Sequence, residues 1–238
     1  MGSLDGRCVI VTGATGGLGG AVGGAFLEAG ARVGVPTRDE KSLAPLLEQA
    51  GERRERLHGE VADVLSLDGF TRFVGRLLAS WNRLDALIHL LGGFAYGPSM
   101  DRMDEATWDR MMNLNLRSAF VATRAVLPHL IERGEGSVLY VSSGAAEKGP
   151  PRMGPYAASK RGLISLMETT AAEVKRTRIR VNALLPSVID TPANRRDMPD
   201  ANHASWVSPE GLAAVMRFLL SDEGREIHGA AIPVSGRV

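Results

Sequence analysis

Seven residues, Gly13-Ala14-Thr15-Gly16-Gly17-Leu18-Gly19, constrain the fold of this chain more than any other stretch. They follow Arg7 to Thr12, an apolar, β-branched run that reads as a buried strand, and they open a helical pattern from Gly17 to Ala29 with Gly30 near its C-cap. Glycines let the backbone turn sharply and approach a pyrophosphate, and the free amides of a helix N-terminus attract its charge. The chain holds 28 glycines, so a merely flexible turn is the plain alternative. The flanking strand and helix argue against it. Two spacings stand side by side: Gly13/Gly17/Gly19 fits T-G-x-x-x-G-x-G, and Gly13/Gly16/Gly19 fits T-G-x-x-G-x-x-G.

The same alternation continues along the chain. Strands are expected at Arg32–Pro36, Ala86–Leu91, Ser137–Ser142 and Arg178–Leu185, and Arg56 to Val61 leads to a further short strand ending near Asp63. Helices are expected at Asp39–Gln49, Leu67–Trp81 and Asp104–Ile131 (with Pro128 late in it), and through Tyr156. Such a pattern predicts an α/β fold: one Rossmann-like, doubly wound parallel sheet with helices on both faces, whose ligands bind beyond the carboxyl ends of the strands. No composition break or linker divides residues 1–238, so a single domain is expected.

Composition narrows the function classes. Hydrophobic residues make up 44% of the chain, enough for a full core, and 28 basic against 27 acidic residues leave a net charge of +1. Neither nucleic-acid nor membrane-surface binding is expected. Glu52-Arg53-Arg54-Glu55-Arg56 mixes signs and reads as a solvated helix end. Cys8 is the only cysteine, so no intrachain disulfide forms, and the five histidines show no metal-ligand spacing. No secretory leader or apolar run of spanning length is seen, which predicts a soluble cytoplasmic protein.

Chemistry concentrates in Tyr156-Ala157-Ala158-Ser159-Lys160, with Ser143 upstream. Four residues are about one helical turn, so Tyr156 and Lys160 share a helix face, and an ammonium there would lower the phenol pKa toward working pH. After the second strand comes Val35-Pro36-Thr37-Arg38-Asp39, with Thr37 where an acid would select a ribose 2′-hydroxyl and Arg38 next to it. An Arg there suits a 2′-phosphate, so NADP is preferred over NAD, although Asp39 could pair with Arg38. Asp63, past the third strand, either meets an adenine amino group or serves as a turn residue.

Together these residues resemble the compact, single-domain short-chain dehydrogenase/reductase family over essentially the whole chain. The resemblance implies an NAD(P)-dependent oxidoreductase moving hydride between nicotinamide and a carbonyl or alcohol. It implies Tyr156 as acid/base, Ser143 on the substrate oxygen, Lys160 on the nicotinamide ribose, and Asn115 (rather than Asn113) supporting a proton-relaying water. It also places Gly13, Thr15, Gly16, Gly17, Leu18, Gly19, Arg38, Asp63, Val64, Leu91, Gly92, Pro186, Ile189 and Thr191 around the dinucleotide. Helices at Glu105–Ile131 and Ala157–Lys175 would pack between subunits of a dimer or tetramer. Two departures stand out. His89-Leu90-Leu91-Gly92 replaces Asn-Asn-Ala-Gly, leaving His89 as a substitute strand tie or as a satisfied core histidine. Pro186-Ser187 replaces Pro-Gly.

Leu185 to Trp206 is similar to dihydropteridine reductase, making a pterin reductase the alternative. A dinucleotide-binding regulator without turnover is a third reading, against which the full Asn115/Ser143/Tyr156/Lys160 set argues. Phe94, Tyr96, Met153 and Trp206 would line an apolar substrate pocket, and residues 187–207 would form a lid whose Arg195-Arg196 pair meets an anionic substrate or faces water.

Overall fold

The protein is described here by a computed structural model covering residues 4–238; the first three residues of the expected domain and of the leader reading lie outside the described part. Strands β1 (Cys8–Thr12), β2 (Arg32–Thr37), β3 (Leu57–Val61), β4 (Ala86–His89), β5 (Glu135–Val141), β6 (Arg178–Pro186) and β7 (Ala231–Val234) form one sheet in the order β3-β2-β1-β4-β5-β6-β7. Every pairing is parallel. The order reverses between β1 and β4, which is where such sheets open a crevice at their carboxyl ends.

Period-two alternation assigns the two faces. In β1, Val9 and Val11 pack toward α1 (Gly19–Glu28), α2 (Ala44–Ala50) and α9 (Pro209–Leu220), whereas Ile10 packs toward α3 (Leu67–Trp81), α5 (Ser118–Arg133) and α7 (Gly154–Val174). All three side chains are fully buried. Helix α3 shows why sequence sets an element. Ser66 accepts from the Gly69 amide, Asn82 closes the other end in the left-handed region (φ 51°), and Phe70, Phe73, Val74 and Leu77 line the buried stripe. Each such side chain contributes roughly 1.5–3 kcal/mol on burial, so Phe70→Ala or Phe73→Ala would open the largest holes in that stripe.

Three expectations are corrected. The helix expected at Asp39–Gln49 begins as a 3-10 turn over Glu40–Leu43, capped by Asp39, before α2. The long helix expected at Asp104–Ile131 is α4 (Glu105–Met111), a π-helical turn (Met112–Arg117) and α5; the wide turn carries the buried Asn115 inward. Strand β4 ends at His89, freeing Leu90 and Leu91 to turn away. Helix α9 and strand β7 had no expectation in the sequence reading. The β7 segment carries Pro233 at its second-last position and borders the sheet as an edge strand, so its signal is short and interrupted.

Candidate active site

The glycine loop leaves β1 and crosses the end of β4. Gly13 sits at φ +73°, and a Cβ there would lie 2.8 Å from the Leu91 amide nitrogen. Only glycine meets both demands at once. Gly16 donates to the Gly13 carbonyl and Gly19 to the Gly16 carbonyl, each at 3.0 Å. A Cβ on Gly17 would contact Thr191, and one on Gly19 would overlap the Gly13 carbonyl oxygen. Both glycine spacings are therefore used, one residue for the turn and another for the approach of the segment after β6. Helix α1 has Leu18 at its N-cap with no side-chain cap and no acid in its first turn, so no side chain covers its N-terminus, and the Gly19 and Gly20 amides turn to the Gly16 carbonyl. Thr15, Gly16 and Gly17 are exposed beside them.

At the end of β2, Thr37 is buried and its hydroxyl meets Ser42 Oγ at 2.5 Å. Asp39 accepts from the Ser42 amide at 2.9 Å and does not pair with Arg38, which corrects that expectation. Arg38 is exposed, with no ion pair among the described residues. Asp63 accepts from the Leu65 amide at 2.8 Å, a turn contact, while Val64 is buried in the core.

Across the crevice lies a buried polar corner. Lys160 Nζ donates to the Val141 carbonyl at 2.8 Å, and Ser142 Oγ donates to the Lys160 carbonyl at 2.8 Å, pinning α7 to the end of β5. Asn115 Nδ2 donates to Ser159 Oγ (2.9 Å) and the Gly93 carbonyl (3.1 Å), and its Oδ1 accepts from the Gly93 amide (2.7 Å). A Cβ on Gly92 would lie 2.7 Å from Asn115 Oδ1 and 3.0 Å from Lys160 Nζ. The absent side chain at Gly92 is thus what brings the β4 end against Asn115 and Lys160.

Burial pulls Lys160 down to about 8. Burial also pushes Tyr156 upward, opposed by a hydrogen bond from Ser143. The expectation that Lys160 lowers the Tyr156 pKa is corrected: the ammonium is turned to the Val141 carbonyl, and desolvation of the phenol dominates. Ser143 Oγ also accepts from the Ala145 amide at 3.2 Å, where the short helix α6 (Ala145–Lys148) begins.

Of the pocket residues, Phe94 stands edge-on to Tyr156 with ring centroids 5.0 Å apart. Tyr96 is exposed under the Arg152 guanidinium, 4.6 Å from its ring centre, and Met153 is half-buried just before α7. Trp206 is buried on the later segment, its ring 4.5 Å from His203. Sequence reasoning missed Arg152. It adopts φ +66°, donates from Nε to the Gly97 carbonyl (2.7 Å) and accepts the Gly97 amide (3.0 Å), tying the Phe94–Gly97 loop to the approach of α7. Its only signal was a basic residue four before Tyr156.

Residues 187–207 leave β6 and return. Ile189 and Val207 bridge its ends, and Thr191 caps α8 (Pro192–Asp197) at the Asn194 amide. Arg195 forms a two-point pair with Asp190 at 2.6 and 2.7 Å. An open groove of about 510 Å³ runs between Gly17, Thr191, Arg195 and the start of α9. Ser187 donates to the Ser235 carbonyl at 2.7 Å, so the Pro-Ser departure ties this loop to the end of β7. Among the described residues there is no cluster of metal-ligating side chains. No helix there is long and apolar enough to cross a membrane.

This arrangement has close relatives. A family model described as short chain dehydrogenase matches residues 7–202. The chain belongs to the short-chain dehydrogenase family. As a member of that family it is an oxidoreductase. It is 31% identical to the 3-oxoacyl-(acyl-carrier-protein) reductase FabG of Thermotoga maritima, with 98% of each chain covered. A short-chain type dehydrogenase/reductase from Mycobacterium ulcerans superposes with a TM-score of 0.92 at 27% identity, covering 98% of this chain and 90% of that one. A 3-ketoacyl-(acyl-carrier-protein) reductase from Brucella melitensis, complexed with NADH, superposes at 0.86 with 28% identity and 98% of each chain covered. The family membership and the doubly wound sheet agree with the reading of the sequence.

Proposed function

We propose that this dehydrogenase is an NADP-preferring reductase of carbonyl compounds, or a dehydrogenase of the matching alcohols, with Tyr156 as acid/base. The observation that carries the reading is the Tyr156 phenol, raised by burial against the opposing effect of Ser143, standing one helical turn from a Lys160 that lies beside Asn115 and Gly92. The chain fits a nicotinamide dinucleotide: the N-terminus of α1 without a side-chain cap, the glycine-rich Gly13–Gly19 loop and the Gly92 contact leave room for one.

Gly13, Thr15, Gly16, Gly17, Leu18 and Gly19 would hold the pyrophosphate, and Arg38 the 2′-phosphate. Asp63 and Val64 would border the adenine. Leu91, Gly92, Pro186, Ile189, Thr191 and Lys160 would hold the nicotinamide end, and residues 187–207 would cover the substrate. When bound, the nicotinamide supplies or accepts the hydride. Ser143 and Tyr156 orient the substrate oxygen. Because burial raises the Tyr156 pKa, its proton stays in place near neutrality, which suits donation to a carbonyl oxygen in the reducing direction. The residues 1–238 act as one domain in this reading.

Titrating the purified protein with NADPH and NADH, then adding ketones, 3-oxoacyl thioesters and a quinonoid dihydropterin, tests it. Tighter NADPH binding with ketone turnover supports the reading. Preferential NADH binding would remove Arg38 from its role, and turnover of the dihydropterin alone would replace the carbonyl substrate with a conjugated C=N one.

A further inference from the structure

His89 sits at the last position of β4, wholly buried, with both ring nitrogens engaged. Nδ1 lies 2.9 Å from Thr12 Oγ1 on β1, and Nε2 lies 3.1 Å from Ser118 Oγ on α5. The proton on each link follows from its neighbours. Ser118 Oγ donates to the Leu114 carbonyl at 2.6 Å, and a carbonyl only accepts. The Ser118 oxygen must then accept, so Nε2 carries the imidazole proton. Burial and the nearby Lys160 charge pull His89 down to about 3, so the ring is neutral and Nδ1 is bare. Nδ1 accepts from the Thr12 hydroxyl, whose oxygen accepts in turn from the Leu91 amide at 3.4 Å.

These bonds form a one-way chain from Leu91 to Leu114. Both ends belong to the site. Leu91 precedes Gly92, the residue against Asn115 and Lys160. Leu114 lies in the π-helical turn beside Asn115, whose carboxamide in turn holds Gly93. The β4 end and the wide turn are therefore tied twice, once directly through Asn115 and once through His89. The His89 link thus gives the π-helical turn, which departs from the α-helical bonding on either side, a second fixed point one residue from Asn115.

We infer that His89, acting through Thr12 and Ser118, is a positioning residue that holds Asn115 and the Leu91–Gly92 backbone in register at Lys160. This rests on the proposed role of the Tyr156–Lys160 corner. It makes His89 more than a packing residue and more than a tie between two strands, because the far link runs to α5 rather than to the sheet.

The test uses the full chain with Ser118→Ala and Thr12→Val, which cut the two ends, and Thr12→Ser, which keeps the hydroxyl. Ser118→Ala and Thr12→Val should lower kcat on the order of tenfold to a hundredfold, shift the kcat–pH profile, and leave dinucleotide Kd within about twofold. Thr12→Ser should retain most of kcat. Nitrogen-15 spectra should show a neutral Nε2–H imidazole that does not titrate between pH 5 and 8, and Asn115 side-chain amide signals that move in Ser118→Ala. A lower Tm with unchanged kcat and pH profile would overturn the inference, as would an Nδ1–H tautomer or unmoved Asn115 signals. If the native protein turns over no carbonyl compound, the functional reading fails by itself. The nitrogen-15 spectra still decide His89.

Discussion

At the glycine loop, Thr15, Gly16 and Gly17 are exposed and α1 starts with no side chain across its amides, whereas across the crevice Asn115, Ser159 and His89 are fully buried and Lys160 nearly so. One side is built by omission. Its shape depends on the Cβ atoms missing at Gly13, Gly17 and Gly19. The other is built from polar groups taken out of water, each partnered, with Lys160 pulled down to about 8 and His89 to about 3. Binding a charged dinucleotide needs backbone donors and space, whereas moving a proton needs groups whose charge the protein controls.

The largest expected effect separates the two sides by function. Tyr156→Phe should cut turnover by about 10²–10⁴ while dinucleotide binding persists, measured by steady-state kinetics beside fluorescence titration. Equal loss of both would mean that the corner also carries the binding.

Gly19→Ala attacks the other side. Its Cβ would overlap the Gly13 carbonyl oxygen, so the loop must shift, with a cost of about 1–3 kcal/mol and loss of dinucleotide affinity. Unaltered affinity in calorimetric titration would show that the loop is not the phosphate cradle.

Lys160 gives a pH signature. Its pKa is about 8 in the folded protein against an ordinary 10.5. Between those values the unfolded chain holds a proton that the folded one has lost, so stability rises with pH across that window. Below pH 8 the folded protein bears the full cost of the buried charge. Lys160→Met should therefore stabilise the fold at pH 7, by up to roughly 3 kcal/mol, with the advantage shrinking toward pH 10.5. Calorimetry across that range checks it, and a pH-independent difference would remove the buried charge as its cause.

The smallest effect tests cofactor choice at an exposed residue. Arg38→Ala should weaken NADPH by about tenfold and leave NADH nearly unchanged. Equal weakening of both would assign Arg38 a general electrostatic role.

The strand–helix alternation, the glycine loop and the Tyr156–Lys160 spacing were legible because they are local. A buried strand is apolar, a tight turn from strand to helix uses glycine where a Cβ would clash, and residues four apart on a helix share a face. The π-helical turn was not legible, since Met112–Arg117 has an ordinary helical composition and widens only where Asn115 reaches Gly93 and Ser159. The same holds for Arg152, whose role depends on a loop 55 residues earlier in the chain.

By itself the sequence determined the doubly wound parallel architecture, and with it a crevice at the carboxyl ends of the strands. Tertiary structure alone decided the charge states and attachments of the site residues. Lys160 turns to the Val141 carbonyl and leaves the Tyr156 phenol raised, and His89 becomes a neutral link between Thr12 and Ser118. The physical reason is that a proton's free energy depends on burial and on partners brought from distant segments, and neither quantity is written in the spacing of residues along the chain.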